Sequence, residues 1–104
     1  MPSGLLGKAV LAANTDTSIY TVPATKAATV NVNVVNTSSG SITVRLSIGG
    51  AVPVAADYIE YDAIVPANGI LERSGLVMSA DEVLVARASA TGISVRAYGF
   101  EEVA

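Results

Sequence analysis

The sequence contains no histidine and no cysteine among its 104 residues. Without these side chains the chain has no zinc site of the usual kind, no disulfide framework, no cysteine nucleophile and no serine–histidine–aspartate triad. Tryptophan is also absent, and phenylalanine occurs once. We therefore expect no catalytic residue, no metal ion and no cofactor, and we predict that the protein is not an enzyme.

Charged side chains are scarce as well. They make up 14% of the residues, with six basic and nine acidic groups and a formal net charge of −3. The basic residues never cluster, so the sequence offers no electrostatic footprint for nucleic acid. No apolar run approaches the roughly 20 residues that a membrane span needs. Neither nucleic acid nor a membrane is an expected partner.

Small and β-branched apolar residues are abundant. Hydrophobic residues make up 51% of the sequence, and Ala contributes 17 of them and Val 15. Val and Ile favour strands, because side chains branched at Cβ pack well on a pleated surface. A chain of this length can bury roughly two-thirds of the surface that it exposes when unfolded. The sequence therefore predicts one β-rich domain over residues 1–104.

Period-two alternation is clearest in residues 29–35 and 41–48. In both segments, apolar side chains alternate with polar ones, which is typical of a strand with one buried face. The residues between the segments, 36–40, are rich in turn formers and predict a β-hairpin. The alternation also predicts two sets of side chains: a buried set of Val32, Val34, Val44 and Leu46, and an outward set of Asn31, Asn33, Thr43 and Arg45.

Six further segments have the pattern of short strands: 6–13, 17–22, 57–64, 69–78, 82–89 and 93–101. About eight short strands with turn residues between them predict an all-β fold, a single antiparallel β-sandwich of jelly-roll type. Residues 49–53 form the longest irregular piece and are predicted to cross between the two sheets. Residues 1–13 favour a first strand, although their apolar spacing also fits a helical turn or an extended interface arm.

Three carboxylates lie close together in the sequence. Glu60 and Asp62 are two apart on one predicted strand, so they should share a face, and Asp57 is near. A calcium site or an acid–base pair is one interpretation. A solvated strand face, whose charges protect a sheet edge from unwanted pairing, is the interpretation that we favour.

Tyr58 and Tyr61 flank these carboxylates and are predicted to lie on opposite faces, one in the core and the other at its rim or against a partner. Arg45, Arg87 and Arg96 fall on three different predicted strands. Arginine is the better cation for protein interfaces. We select Tyr58, Tyr61, Arg45 and Arg96 as candidate interface residues, with scattered surface charge as the alternative for the arginines.

Apolar residues at the two ends of the chain add further candidates. Leu5, Leu6 and Val10 are side chains that a free tail has no reason to expose, so we include them among the candidate interface residues. Near the other end, Tyr98 and Phe100 alternate with smaller residues on the last predicted strand. We predict that these two aromatic side chains pack in the core or between the sheets.

Read in order, the segments over residues 14–101 resemble small β-sandwich virion structural proteins of tailed bacteriophages. The likeness is carried by turn and strand signatures: IYTVPA at 19–24, NTS at 36–38, TVRLS at 43–47, IVPANG at 64–69, GLVMSADE at 75–82 and ISVRAYGFE at 93–101. Ala80 departs from the pattern, which usually has glycine before the aspartate. The resemblance implies a structural role on the virion and carries over no catalytic residue.

Three functions are therefore compared. The first is a capsid decoration protein that packs on other virion proteins, and the second is a tail, neck or baseplate component. The third, from another class, is a carbohydrate- or receptor-binding module. The low charge and the positive mean hydropathy of +0.53 favour a chain that buries surface against neighbours. We expect a homo-oligomer located in the virion, with a trimer as the expected unit.

Overall fold

The computed structural model describes residues 3–103. In that range the chain forms eight strands: β1 (Ser3–Val10), β2 (Thr17–Thr21), β3 (Lys26–Asn36), β4 (Ile42–Gly49), β5 (Tyr58–Val65), β6 (Ile70–Met78), β7 (Val83–Ala88) and β8 (Ile93–Val103). One turn of 3₁₀ helix, Ala55–Asp57, precedes β5. No helix in this part of the chain is long and apolar enough to cross a membrane. The all-β prediction is confirmed.

The strands form two four-stranded antiparallel sheets. Sheet A has the order β1-β8-β3-β6, and sheet B has the order β2-β7-β4-β5. Every connection between consecutive strands passes from one sheet to the other except the connection from β4 to β5, which are neighbours in sheet B. This order is that of a jelly roll, so the predicted sandwich of jelly-roll type is confirmed.

Two predicted connections are wrong. The hairpin predicted across residues 36–40 does not form, because β3 pairs with β6 and β8 whereas β4 pairs with β5 and β7. The crossing predicted at residues 49–53 is also wrong, because these residues join neighbours within sheet B. Alternation shows which side of a strand is buried, but it does not show which strand lies beside it.

The inner faces of the two sheets meet in a core of small side chains. On β3 and β4, the predicted buried residues Val32, Val34, Val44 and Leu46 are at most 1% exposed. The residues between them on both strands are only partly buried and face outward, as predicted. The apolar faces of β3 and β4 therefore pack against each other from opposite sheets.

The passage from β3 to β4 is fixed by the side chain of Asn36, which is fully buried. Its Nδ2 donates to the carbonyl oxygens of Gly40, at 2.8 Å, and Val65, at 3.0 Å. Its Oδ1 accepts hydrogen bonds from the backbone N and the Oγ of Ser38. One amide thus replaces the backbone pairing that the chain loses where it leaves sheet A.

Residues 3–10 form an edge strand, rather than a helical turn or a free arm, and pair with β8. Residues 1–2 of the predicted arm lie outside the described residues. A β-carbon at Gly7 would overlap the carbonyl oxygen of Ile19 on β2. Glycine at this position therefore allows β1 to approach β2 closely and close one side of the sandwich.

A buried polar contact joins the two sheets inside the core. The hydroxyl of Tyr20 on β2 donates to a carboxylate oxygen of Glu101 on β8, and both residues are buried. Burial raises the pKa of the Tyr20 phenol, and the hydrogen bond to Glu101 and the charge of that carboxylate raise it further. A buried carboxylate needs such a donor, since an unpaired buried charge is strongly unfavourable.

Candidate interaction surfaces

The outer face of sheet A, called face A below, is ordered into rows by the strand register. The outward residues of β1, β8, β3 and β6 lie in rows that run across the strands. Three of these rows are the following: Leu5, Tyr98 and Asn31; Lys8, Arg96, Asn33 and Glu72; Val10, Ser94, Val35 and Ile70. At the other end of the face lies a fourth row containing Phe100, Thr29 and Val77. Apolar side chains thus lie on both sides of the charged row. Beyond the Phe100 row, Ala27 pairs with Glu102, which adds an exposed carboxylate at that end of face A.

Several of these apolar side chains are well exposed. Val10 and Val77 are 76% and 75% exposed, and Phe100 is 46% exposed. The prediction that Tyr98 and Phe100 pack in the core is wrong. On β8 the inward positions belong to Ile93, Val95, Ala97 and Glu101, so strict alternation turns both aromatic side chains outward.

The charged row has opposite signs at its two ends. Lys8 and Arg96 are register partners on β1 and β8, whereas Glu72 lies on the edge strand β6, with Asn33 between. Lys8, Arg96 and Glu72 are exposed, and none of them makes an ion pair within residues 3–103. Beside the row, an open depression of about 560 Å³ is lined by the following residues: Lys8, Ala9, Val10, Asn33, Val35, Ser94, Val95 and Arg96.

The outer face of sheet B, called face B, carries a cluster centred on Arg45. The Arg45 Nε lies 2.7 Å from Asp62 Oδ1, and its Nη2 lies 3.3 Å from Oδ2. The guanidinium also sits 4.1 Å from the ring centroid of Tyr61. The rings of Tyr58 and Tyr61 meet edge to face at 4.9 Å. The hydrogen bond from Arg45 lowers the pKa of Asp62 and in turn raises the pKa of the guanidinium.

A bulge in β5 produces this cluster. Val44 pairs with Ala63 and Leu46 pairs with Glu60, so two residues of β5 lie opposite Arg45 alone. One of the two, Asp62, has a φ of 53°. A second register shift follows, because Leu46 pairs with Glu60 and Ser47 pairs with Tyr58, which makes Ile59 a second extra residue. This shift places Tyr58 on the same face as Tyr61. The prediction that these two rings lie on opposite faces is wrong.

The bulge opposite Arg45 also separates the predicted carboxylate pair. Asp62 points outward to Arg45, whereas Glu60 pairs with Arg73 of β6, across the side of the sandwich. The expectation that Glu60 and Asp62 share a face is therefore wrong. Within residues 3–103 no group of three or more acidic side chains is arranged to hold a metal ion.

A second arginine extends the charges on face B. Arg87 is the cross-strand partner of Arg45, and its Nη1 lies 3.6 Å from an oxygen of Asp16. The two arginines thus lie side by side, each with its own carboxylate on the outer side. A polar groove of about 210 Å³ runs over them. Because the four charges cancel, the groove does not attract ions of either sign over long distances.

The candidate interface residues fall on two separate surfaces. Leu5, Val10 and Arg96 lie together on face A. The other candidates Tyr58, Tyr61 and Arg45 lie together on face B, while Leu6 is partly buried and packs against the core at a bulge in β1. Sequence reasoning missed Lys8, Glu72, Ile70 and Val77. Their alternation with buried residues could have shown that they face outward. Only the strand order of sheet A shows that they lie on the same face.

Comparisons of the chain with known protein families, with curated proteins and with solved structures find no match.

Proposed function

We propose that this chain is a non-enzymatic structural protein of a tailed-phage virion, a capsid decoration protein that packs on its neighbours through face A. The observation that carries the proposal is face A itself, where exposed apolar side chains on β1, β6 and β8 flank the row of charges formed by Lys8, Arg96 and Glu72. Exposed apolar patches on a small domain commonly mark protein contacts.

The chemistry of the face supports this role. Burying neutral and apolar side chains costs little desolvation, whereas burying unpaired charges costs much. The aromatic side chains Tyr98 and Phe100 supply a large contact area, as interface cores commonly do. Jelly rolls serve in viral capsids and also in lectins, so the topology alone does not choose between these functions. The sequence resemblance to virion proteins adds to the first.

A tail, neck or baseplate component would use the same surface chemistry and stays the second candidate. The carbohydrate-binding alternative has less support from face B. A sugar site commonly offers an open aromatic ring, but the Tyr61 ring lies under Arg45 and against Tyr58. We therefore place the proposed contact on face A and assign no ligand to face B.

The test is the protein content of purified particles. If the proposal is right, mass spectrometry of virions of the phage that encodes this chain detects the chain at a fixed ratio to the major capsid protein. Cryo-electron microscopy then distinguishes capsid from tail. Complete absence of the chain from particles would overturn the proposal.

A matched pair of variants tests the role of face A. Val77 on face A and Ile64 on face B are both strongly exposed on edge strands. Val77→Asp should reduce incorporation into particles, and Ile64→Asp should leave it unchanged. Equal effects of the two variants would show that face A is not the contact surface. The virion role itself is tested separately, by the mass spectrometry.

A further inference from the structure

We infer that face A packs against face A of a second copy, about a two-fold axis that runs parallel to the strands. The inference rests on the proposed function in one respect, namely that face A is a protein contact, and it names the partner. The pair, rather than the trimer expected from the sequence, would then be the unit that joins a particle.

The charged row is self-complementary under this operation. A two-fold axis parallel to the strands keeps each row at the same height and reverses the order of the strands, so that β1 lies opposite β6 of the second copy. Lys8 then faces Glu72 of the second copy, and Glu72 faces its Lys8. Arg96 faces Asn33, a neutral side chain whose Oδ1 is buried. Lys8 and Glu72 thus meet opposite charges, and no like charges of the row face each other.

The row that contains Val10 also matches under the same operation. Val10 on β1 faces Ile70 on β6 of the second copy. In the centre of that row, Val35 faces Ser94, where the small serine side chain contributes to the depression of about 560 Å³. A valine from each copy therefore enters the depression of the other. Complementary shape of this kind is what a packed interface requires.

The alternative in-plane axis fits poorly. A two-fold axis perpendicular to the strands would reverse the rows and keep the strand order. If it passed between the two middle rows, Lys8 and Arg96 would lie over Leu5 and Tyr98. Burying these cations without partners is strongly unfavourable. The charge pattern therefore selects the axis that is parallel to the strands.

The area of the face is sufficient for a weak pair. Four strands about 4.8 Å apart, each about eight residues long, give a face of about 19 by 27 Å, or about 500 Å² per copy. Two such faces bury about 1,000 Å² in projection, which reaches the lower limit for a specific interface. We therefore expect a reversible dimer with a Kd in the micromolar range.

Sedimentation equilibrium of the full chain over a range of concentrations tests the inference. The wild type should fit a monomer–dimer equilibrium that weakens as salt is added. Lys8→Glu and Glu72→Lys should each raise the Kd about tenfold, because the two-fold axis repeats each like-charge contact twice. The double variant should return the Kd to near its original value, because the exchanged charges again face each other.

Arg87→Glu is the matched control, since it reverses one partly exposed charge on face B. Circular dichroism of each variant confirms that it is folded. A wild type that is a monomer at all concentrations, a trimer, or a double variant no tighter than the single ones would overturn the inference. The two tests are independent. Failure of the dimer does not contradict the presence of the chain in particles, and absence of the chain from particles does not contradict the dimer.

Discussion

The buried contact between Tyr20 and Glu101 gives the sharpest prediction about stability. Tyr20→Phe removes only the hydroxyl and keeps the ring that fills the core. It leaves the Glu101 carboxylate 4% exposed and without its phenol donor. This hydrogen bond is a buried polar contact between the two sheets. Its loss should therefore lower the free energy of unfolding.

The expected size follows from the charge on the acceptor. A hydrogen bond to a charged group contributes about 1.5–3 kcal/mol, and a buried charge without a donor adds a desolvation cost. We expect Tyr20→Phe to cost about 2–3 kcal/mol, a large part of the roughly 5–15 kcal/mol that stabilises a typical domain. In a domain of this size, such a loss lowers the Tm by about 10–20 °C.

Urea denaturation at neutral pH, followed by circular dichroism, measures the effect. Tyr98→Phe is the matched control, because it removes a hydroxyl from the outer face of sheet A. Glu101→Gln should cost less than Tyr20→Phe, since the amide oxygen can still accept the hydrogen bond while the buried charge is gone. If Tyr20→Phe were as stable as Tyr98→Phe, within about 0.5 kcal/mol, the contact would not stabilise the fold.

The same contact predicts a dependence on alkaline pH. The pKa of Tyr20 is raised in the folded chain above the ordinary value of 10.0, so folding favours the protonated phenol. The stability from this shift is fully present below about pH 10, and it is lost as the pH rises beyond that value. The wild type should therefore lose more stability above pH 10 than Tyr20→Phe does. Parallel stability curves for the two chains would contradict this assignment.

Three further predictions concern the framework. Val44→Asp should unfold the domain, because it places an unpaired charge in the core. Arg45→Ala should leave the Tm nearly unchanged, because its ion pair is exposed. Thermal denaturation compares the two variants. Asn36→Ala should cost about 2–3 kcal/mol in urea denaturation, since two carbonyl oxygens lose their donor. Gly7→Ala should lower the Tm, because its methyl group overlaps the Ile19 carbonyl; an unchanged Tm would show that β1 moves aside freely.

Alternation in the sequence was enough to predict the strands and, on β3 and β4, their buried sides. The observed bounds of β3 and β4 differ from the predicted ones by a few residues, and the predicted core valines are buried. Alternation could not predict strand pairing, because a five-residue turn can join neighbours or lead to the other sheet. Here the choice is made by Asn36, whose buried amide bonds to Val65, a residue far along the chain.

The surfaces were harder to predict for a related reason. Two register shifts in β5 change the face that its residues occupy. The shift opposite Arg45 separates Glu60 from Asp62, and the shift at Ile59 places Tyr58 beside Tyr61. Nothing in the local composition marks such an insertion, because its effect is visible only against the register of the neighbouring strand. The charged row of face A depends in the same way on the sheet order.

The pairing of strands is nested: β4 with β5, β3 with β6, β2 with β7 and β1 with β8. The innermost pair is close in sequence, and each pair outside it closes a longer loop, which slows folding. During synthesis, β1 leaves the ribosome before the other strands, but it cannot pair with β8 until residues 93–103 have emerged. A chain interrupted before that point presents β1 and one edge of β3 unpaired, which makes incomplete products prone to aggregate through these edges.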